Sequence, residues 1–111
     1  MMNFDLNHLP DRTEKPRSSG LTMVMDKGLS VRQAEDLLAV GTERLDYLKL
    51  GFGTSMVTPE LKEKVATYRK AGLDVYCGGT LFEAFLVRDR LDDYLRFIDD
   101  LGIDCLEVSD G

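Results

Sequence analysis

Two kinds of hydrophobic pattern alternate along this chain. Short apolar runs bounded by glycine or charge occur at residues 21–26, 45–50, 73–77 and 103–108. Their length and flanks suit strands buried on both faces, the kind found in parallel sheets. Between them apolar residues recur at helical spacing: Val31, Ala34, Leu37 and Leu38, then Leu61, Val65 and Tyr68, then Leu91, Tyr94, Leu95, Ile98 and Leu101. Each set forms one stripe of a helix. The punctuation agrees. Ser30 with Gln33 spells a capping box, and Gly41 suits the residue after a helix. Thr58-Pro59-Glu60 reads as an N-cap, a proline at the first helical position and an acid against the positive end of the dipole. Gly72 and Gly102 close the second and third long helices.

The predicted order is β-α-β-α-β-α-β, which makes a parallel sheet with right-handed crossovers. Strand starts recur every 24 to 30 residues, close to the roughly 31 per unit of a 250-residue barrel. The fold class expected is therefore α/β: the first half of a TIM (β/α)8 barrel over residues 21–111, behind a polar lead-in over residues 1–20. A doubly wound, flavodoxin-like sheet fits the same order. About eight strands are needed to close a barrel, so the barrel reading makes this chain a fragment with two open edges. Open edges favour self-association, and a homo-oligomer is expected.

Composition narrows the function classes. A chain of 111 residues is one domain or less. Its net charge of −6 argues against a nucleic-acid partner. No apolar run approaches the roughly 20 residues that cross a bilayer, and the acidic first residues carry no signal peptide. A cytoplasmic protein without a membrane partner is the expectation. Cys77 and Cys105 sit in apolar runs without a CxxC or Cys/His cluster, so both are expected as reduced structural thiols. His8, the single histidine, is expected on the surface.

Chemistry concentrates where the strands end. A parallel sheet brings these carboxyl ends to one side, where α/β proteins bind ligands. The first end offers Asp26 and Lys27, the second Lys49 before Gly51-Phe52-Gly53-Thr54-Ser55, the third Gly78-Gly79 leading to Glu83, the fourth Glu107, Ser109 and Asp110. Lys49 interrupts an apolar strand, and a charge there needs a partner. Glu107 faces opposite Leu106 and Val108, so an inward carboxylate needs Lys49 or a metal beside it. Blander readings stand next to these. Asp26 and Lys27 pair with each other; Glu83 completes a capping box with Thr80; and Gly51, Gly53, Thr54 and Ser55, whose backbone N–H groups could cradle a phosphate, form only a tight turn.

Four blocks carry a resemblance. Residues 15–29 (KPRSSGLTMVMDKGL), 49–55 (KLGFGTS), 78–83 (GGTLFE) and 107–111 (EVSDG) together resemble the phosphosulfolactate synthase family. The resemblance implies a complete (β/α)8 barrel that adds sulfite to phosphoenolpyruvate with magnesium, giving (2R)-phospho-3-sulfolactate on the way to coenzyme M. Similar sequences also occur in organisms that do not make coenzyme M, so a non-catalytic or stress-associated relative is the alternative. On the family reading Lys27 and Lys49 are the catalytic lysines, binding anion or supplying the proton. Arg17, Gly53, Thr54 and Ser55 bind substrate, and Glu83, Glu107 and Asp110 hold magnesium. A chain with half a barrel mouth is expected to be inactive alone.

Overall fold

The structure is a computed structural model and describes residues 3–110. Residues 3–22 hold no helix or strand. Four parallel strands follow: β1 (Met23–Asp26), β2 (Tyr47–Leu50), β3 (Asp74–Cys77) and β4 (Cys105–Leu106), hydrogen-bonded in the order β1-β2-β3-β4. Four helices connect them: α1 (Val31–Gly41), α2 (Leu61–Lys70), α3 (Gly79–Leu86) and α4 (Leu91–Asp100), with short 3-10 turns at Thr42–Arg44 and Thr54–Met56.

Strand order decides between the two folds left open above. A doubly wound sheet reverses its order at a switch point and carries helices on both faces. Here each strand pairs with the next in sequence, and one hydrophobic cluster joins all four helices to one face. Leu48, Leu50, Val75 and Cys77 point into that layer against Ala34, Val65, Tyr68, Leu81, Phe82, Tyr94 and Ile98. The register places Met25, Lys49, Tyr76 and Cys105 side by side on the opposite face. Sequential parallel strands with helices on one side are the arrangement of a (β/α)8 barrel, whose inner face is this second one. Met23 stands 47% exposed there. Among the described residues β1 and β4 each pair on one side only.

Several expectations need correction. The strands are shorter than the apolar runs, most of all β4, which keeps two residues of a six-residue run. The segment after Gly78-Gly79 is a helix of its own, α3, so two helices separate β3 from β4. Thr58 does not cap α2: its hydroxyl donates to the carbonyl of Thr54, and Glu60 takes the capping position at φ 54 without a side-chain bond. Gly41 is the last residue of α1, at φ −125, and the chain runs directly into a 3-10 turn. The capping box at Ser30 and Gln33 is present in both directions, and Gly72 and Gly102 take the left-handed conformation after their helices. Cys77 is buried and Cys105 half-buried on the other face; both are free.

Candidate active site

The inner face gathers its charges at the carboxyl ends of the strands. Lys49 lies one residue before the end of β2. Its ammonium meets both oxygens of Glu107, at 2.9 and 3.1 Å. Glu107 follows β4 by one residue and shares its alternation with Cys105, so its side chain reaches the face where Lys49 stands. Its Oε1 also accepts the backbone N–H of Gly79, the first residue of α3, at 2.7 Å. Lys49, followed by that N–H, holds the Glu107 carboxyl below the usual range. The pair is only partly buried, with side chains 18% and 37% exposed, so its charge is open to an arriving ligand.

Glycine makes this approach possible. A Cβ at Gly78 would come within 2.7 Å of Lys49 Cε, and one at Gly79 within 2.8 Å of Ser109 Cβ and 3.0 Å of Glu107 Oε1. These two residues leave the space that Lys49, Glu107 and Ser109 fill. Ser109 in turn donates to Glu83 Oε2 at 2.6 Å. Lys49, Glu83, Glu107 and Ser109 thus line one cleft, with Met25 and Phe52 as its apolar wall. Glu83 is not the second half of a capping box: α3 starts at Gly79, its N-cap is Gly78, and no side chain caps it.

The remaining candidates lie elsewhere or are already engaged. Lys27 is exposed, with its ammonium 5.7 Å from the centre of the Phe52 ring. That places it beside the cleft, across its aromatic wall. Lys27 does not pair with Asp26, whose partners are Lys64 and Tyr68 in the helix layer. Arg17 is not at this rim. Its guanidinium donates to Asp46 Oδ1 at 2.8 Å and to the Glu43 carbonyl at 2.7 Å. Asp46 precedes β2, so Arg17 serves the amino ends of the strands, opposite Lys49. The 51–55 turn uses its hydroxyls internally. Thr54 Oγ1 donates to the Gly51 carbonyl, and Ser55 is buried with its hydroxyl 3.9 Å from Cys77 Sγ, on the helix side of the sheet. Gly53, at φ 72, has open space around it and supplies the turn geometry. Asp110 is exposed. Among the described residues no three His, Cys, Asp or Glu side chains converge.

A model of the (2R)-phospho-3-sulfolactate synthase (ComA) family matches residues 10–111. The chain belongs to this family. A phosphosulfolactate synthase of Methanothermobacter thermautotrophicus is 39% identical over 104 residues, covering 92% of this chain and 40% of the relative. That of Methanocaldococcus jannaschii is 43% identical over 94 residues, covering 83% and 38%. That of Bacillus subtilis is 33% identical over 111 residues, covering 100% and 44%. The chain therefore spans about two fifths of the length of the phosphosulfolactate synthases it matches. No helix among the described residues is long and apolar enough to cross a membrane.

Sequence reasoning missed three parts of this arrangement. Ser109 was one polar residue among several at the last strand end, and nothing in its spacing singles out a bond to Glu83. The clearance at Gly78-Gly79 had a signal: two glycines directly after a strand, opposite the lysine of the neighbouring strand. Lys64 had one too, since positions 61, 64, 65 and 68 share one helical stripe and three of the four are apolar.

Proposed function

We propose that the chain carries the first part of a phosphosulfolactate synthase active site, in which sulfite adds to phosphoenolpyruvate. The observation that carries the reading is the Lys49–Glu107 pair in a cleft at the strand carboxyl ends, inside the segment the family match covers. Sulfite sulfur forms a bond to the methylene carbon, and the alkene electrons move onto the carboxylate as an enolate. A proton then reaches the carbon that bears the phosphate ester. Both substrates are anions, so cations must be held where they meet.

In this reading Lys49 is the residue placed against the reacting atoms. Glu107 and the Gly79 N–H keep its ammonium on the inner face, as an orienting partner fixes a catalytic acid or base. Lys27 sits outside Phe52, where it binds the phosphate or sulfite group as a point charge. Magnesium, when bound, supplies charge stabilisation for the enolate. Glu83 suits it best, with one oxygen taken by Ser109 and the other without a protein partner among the described residues. A single carboxylate with substrate oxygens and waters is a common magnesium shell. Glu107, engaged by Lys49 and Gly79, fits this role less well, and Asp110 would reach it only through the exposed segment after β4.

The test is a chimera in which residues 10–111 replace the matching segment of the Methanothermobacter phosphosulfolactate synthase. Mixed with sulfite, phosphoenolpyruvate and magnesium, it should form phosphosulfolactate. Lys49→Met should lower turnover by about 10²–10⁴-fold, the range of a lost proton-transfer group. A folded chimera whose Lys49→Met variant keeps full turnover would remove Lys49 from the chemistry.

A further inference from the structure

The most enclosed charges of this protein lie outside the cleft. Lys64 of α2 and Asp26 at the end of β1 pair at 3.0 Å with side chains 1% and 0% exposed. A buried ion pair is weak evidence for stability, since apolar residues of similar volume often do as well or better. What it touches is therefore informative. Asp26 Oδ1 accepts the backbone N–H groups of Gly28 and Leu29, both at 2.8 Å. Its Oδ2 accepts the Tyr68 hydroxyl at 2.8 Å and faces Lys64. Lys64 also donates to the Leu29 carbonyl at 2.7 Å. Three of these five contacts grip the backbone of residues 28 and 29, immediately after Lys27. The anion holds the loop's donors and the cation holds its acceptor.

Gly28 makes the turn at φ 109 and packs near Thr54, so the gripped loop also abuts the turn that carries Phe52. Lys27 is thereby fenced on one side by a strand and on the other by two immobilised peptide units. Burial opposes ionisation of Asp26 most strongly, yet the bonds from Leu29, Lys64, Gly28 and Tyr68 outweigh it and keep the carboxylate charged. A charged acceptor roughly doubles the strength of such bonds.

We propose that Asp26, Lys64 and Tyr68 form a positioning device that fixes the 27–29 loop and so aims Lys27 at the anion its cleft receives. This rests on the anion-binding role proposed for Lys27, and the experiment separates the two. Amide hydrogen exchange and a titration with inorganic phosphate, followed by amide shifts, are run on the whole chain. The triple variant Asp26→Leu/Lys64→Met/Tyr68→Phe replaces the network by apolar groups of similar size. The double variant Asp26→Asn/Lys64→Met keeps one oxygen for the Gly28 and Leu29 N–H groups and gives the Tyr68 oxygen a donor.

In the triple variant the Gly28 and Leu29 amides should lose protection at least tenfold relative to those of Leu48 and Val75. Phosphate affinity should fall about as far as in Lys27→Ala. The double variant keeps the acceptor for both N–H groups and loses only the hold on the Leu29 carbonyl, so its protection and affinity should fall between those of the parent and the triple variant, whereas a merely space-filling role predicts full protection in both. Retained protection in the triple variant would overturn the proposal, as would open amides with unchanged affinity. Should the triple variant not fold, the double variant still decides: protected amides with affinity as low as Lys27→Ala would refute positioning. If Lys27→Ala itself leaves phosphate affinity untouched, the role of Lys27 fails first, and the device loses its object.

Discussion

Substituting Gly78 by alanine should disturb the cleft while leaving the fold almost unchanged. Gly78 sits at φ −72, a conformation alanine adopts without strain. The added Cβ would lie 2.7 Å from Lys49 Cε and 3.4 Å from the Leu50 carbonyl. Carbon atoms prefer about 3.5–4.0 Å, so the lysine stem must withdraw by about 1 Å. Its ammonium stands 2.9 Å from Glu107 and loses contact if it follows the stem. Losing this part-exposed pair costs up to about 1 kcal/mol. Restricting the unfolded chain returns about 0.4–1 kcal/mol. Net stability should therefore stay within about 1 kcal/mol of the parent in urea denaturation.

The site should respond very differently to the same change. Carbon-13 titration of the Glu107 carboxyl should show its pKa rising from below the usual range towards the ordinary value, because Lys49 is the main cause of the depression. In the chimera, turnover should fall by about 10²-fold, the effect of a misplacement of about 1 Å. Gly79→Ala is the harsher comparison. There the clash is with Ser109 Cβ at 2.8 Å, an atom fixed to the backbone, so stability should fall as well. An unchanged Glu107 titration in Gly78→Ala, or a stability loss above about 3 kcal/mol, would refute the claim that glycine is there for clearance.

Other consequences are open to simple measurements. Arg17→Ala should destabilise by about 2 kcal/mol, since it strips a charged hydrogen bond from nearly buried Asp46; phosphate affinity measured by amide shifts should not change. Asp26 and Glu107 both titrate below their ordinary values in the folded chain. The unfolded state therefore binds more protons as pH falls, and these groups' contribution is complete above pH about 5 and lost below it. The urea midpoint should drop between pH 6 and pH 3, and the fall should be shallower in Asp26→Asn/Lys64→Met. Iodoacetamide should label half-buried Cys105 well before Cys77, which burial encloses and whose pKa it raises; equal rates would show that the helix layer opens to reagent as readily as the inner face.

Much of this fold was legible because its determinants are local. Alternation against Leu48 and Leu50 sends Lys49 away from the helices, alternation against Leu106 does the same for Glu107, and parallel strands bring their ends to one side. Ser30 and Gln33 cap α1 across three residues of sequence. The failures are where partners are remote or a local rule competes. Arg17 was read as a substrate contact on the family resemblance; its partner in the fold, Asp46, is 29 residues away at the amino ends. Thr58-Pro59-Glu60 has the composition of a helix start, yet the Thr58 hydroxyl closes the preceding 3-10 turn onto Thr54. Ser55 was read as part of a backbone phosphate cradle, and its burial with the hydroxyl turned to Cys77 has no signal in the loop's composition.

Asp26 and Lys27 show the limit most clearly. Adjacent opposite charges invite a pairing, but Asp26 is the last residue of β1 and turns into the helix layer, while Lys27 opens the loop and is exposed, so the two do not share an environment. Asp26 enters the helix layer, where the Leu29 and Gly28 N–H groups, Tyr68 and Lys64 together offset its desolvation, and α2 carries that lysine at the one polar position of its apolar stripe. Lys27 is left free beside the cleft for the same reason. The charge that organises the loop and the charge that the loop presents are thus consecutive residues, one ending the strand and the other beginning the loop.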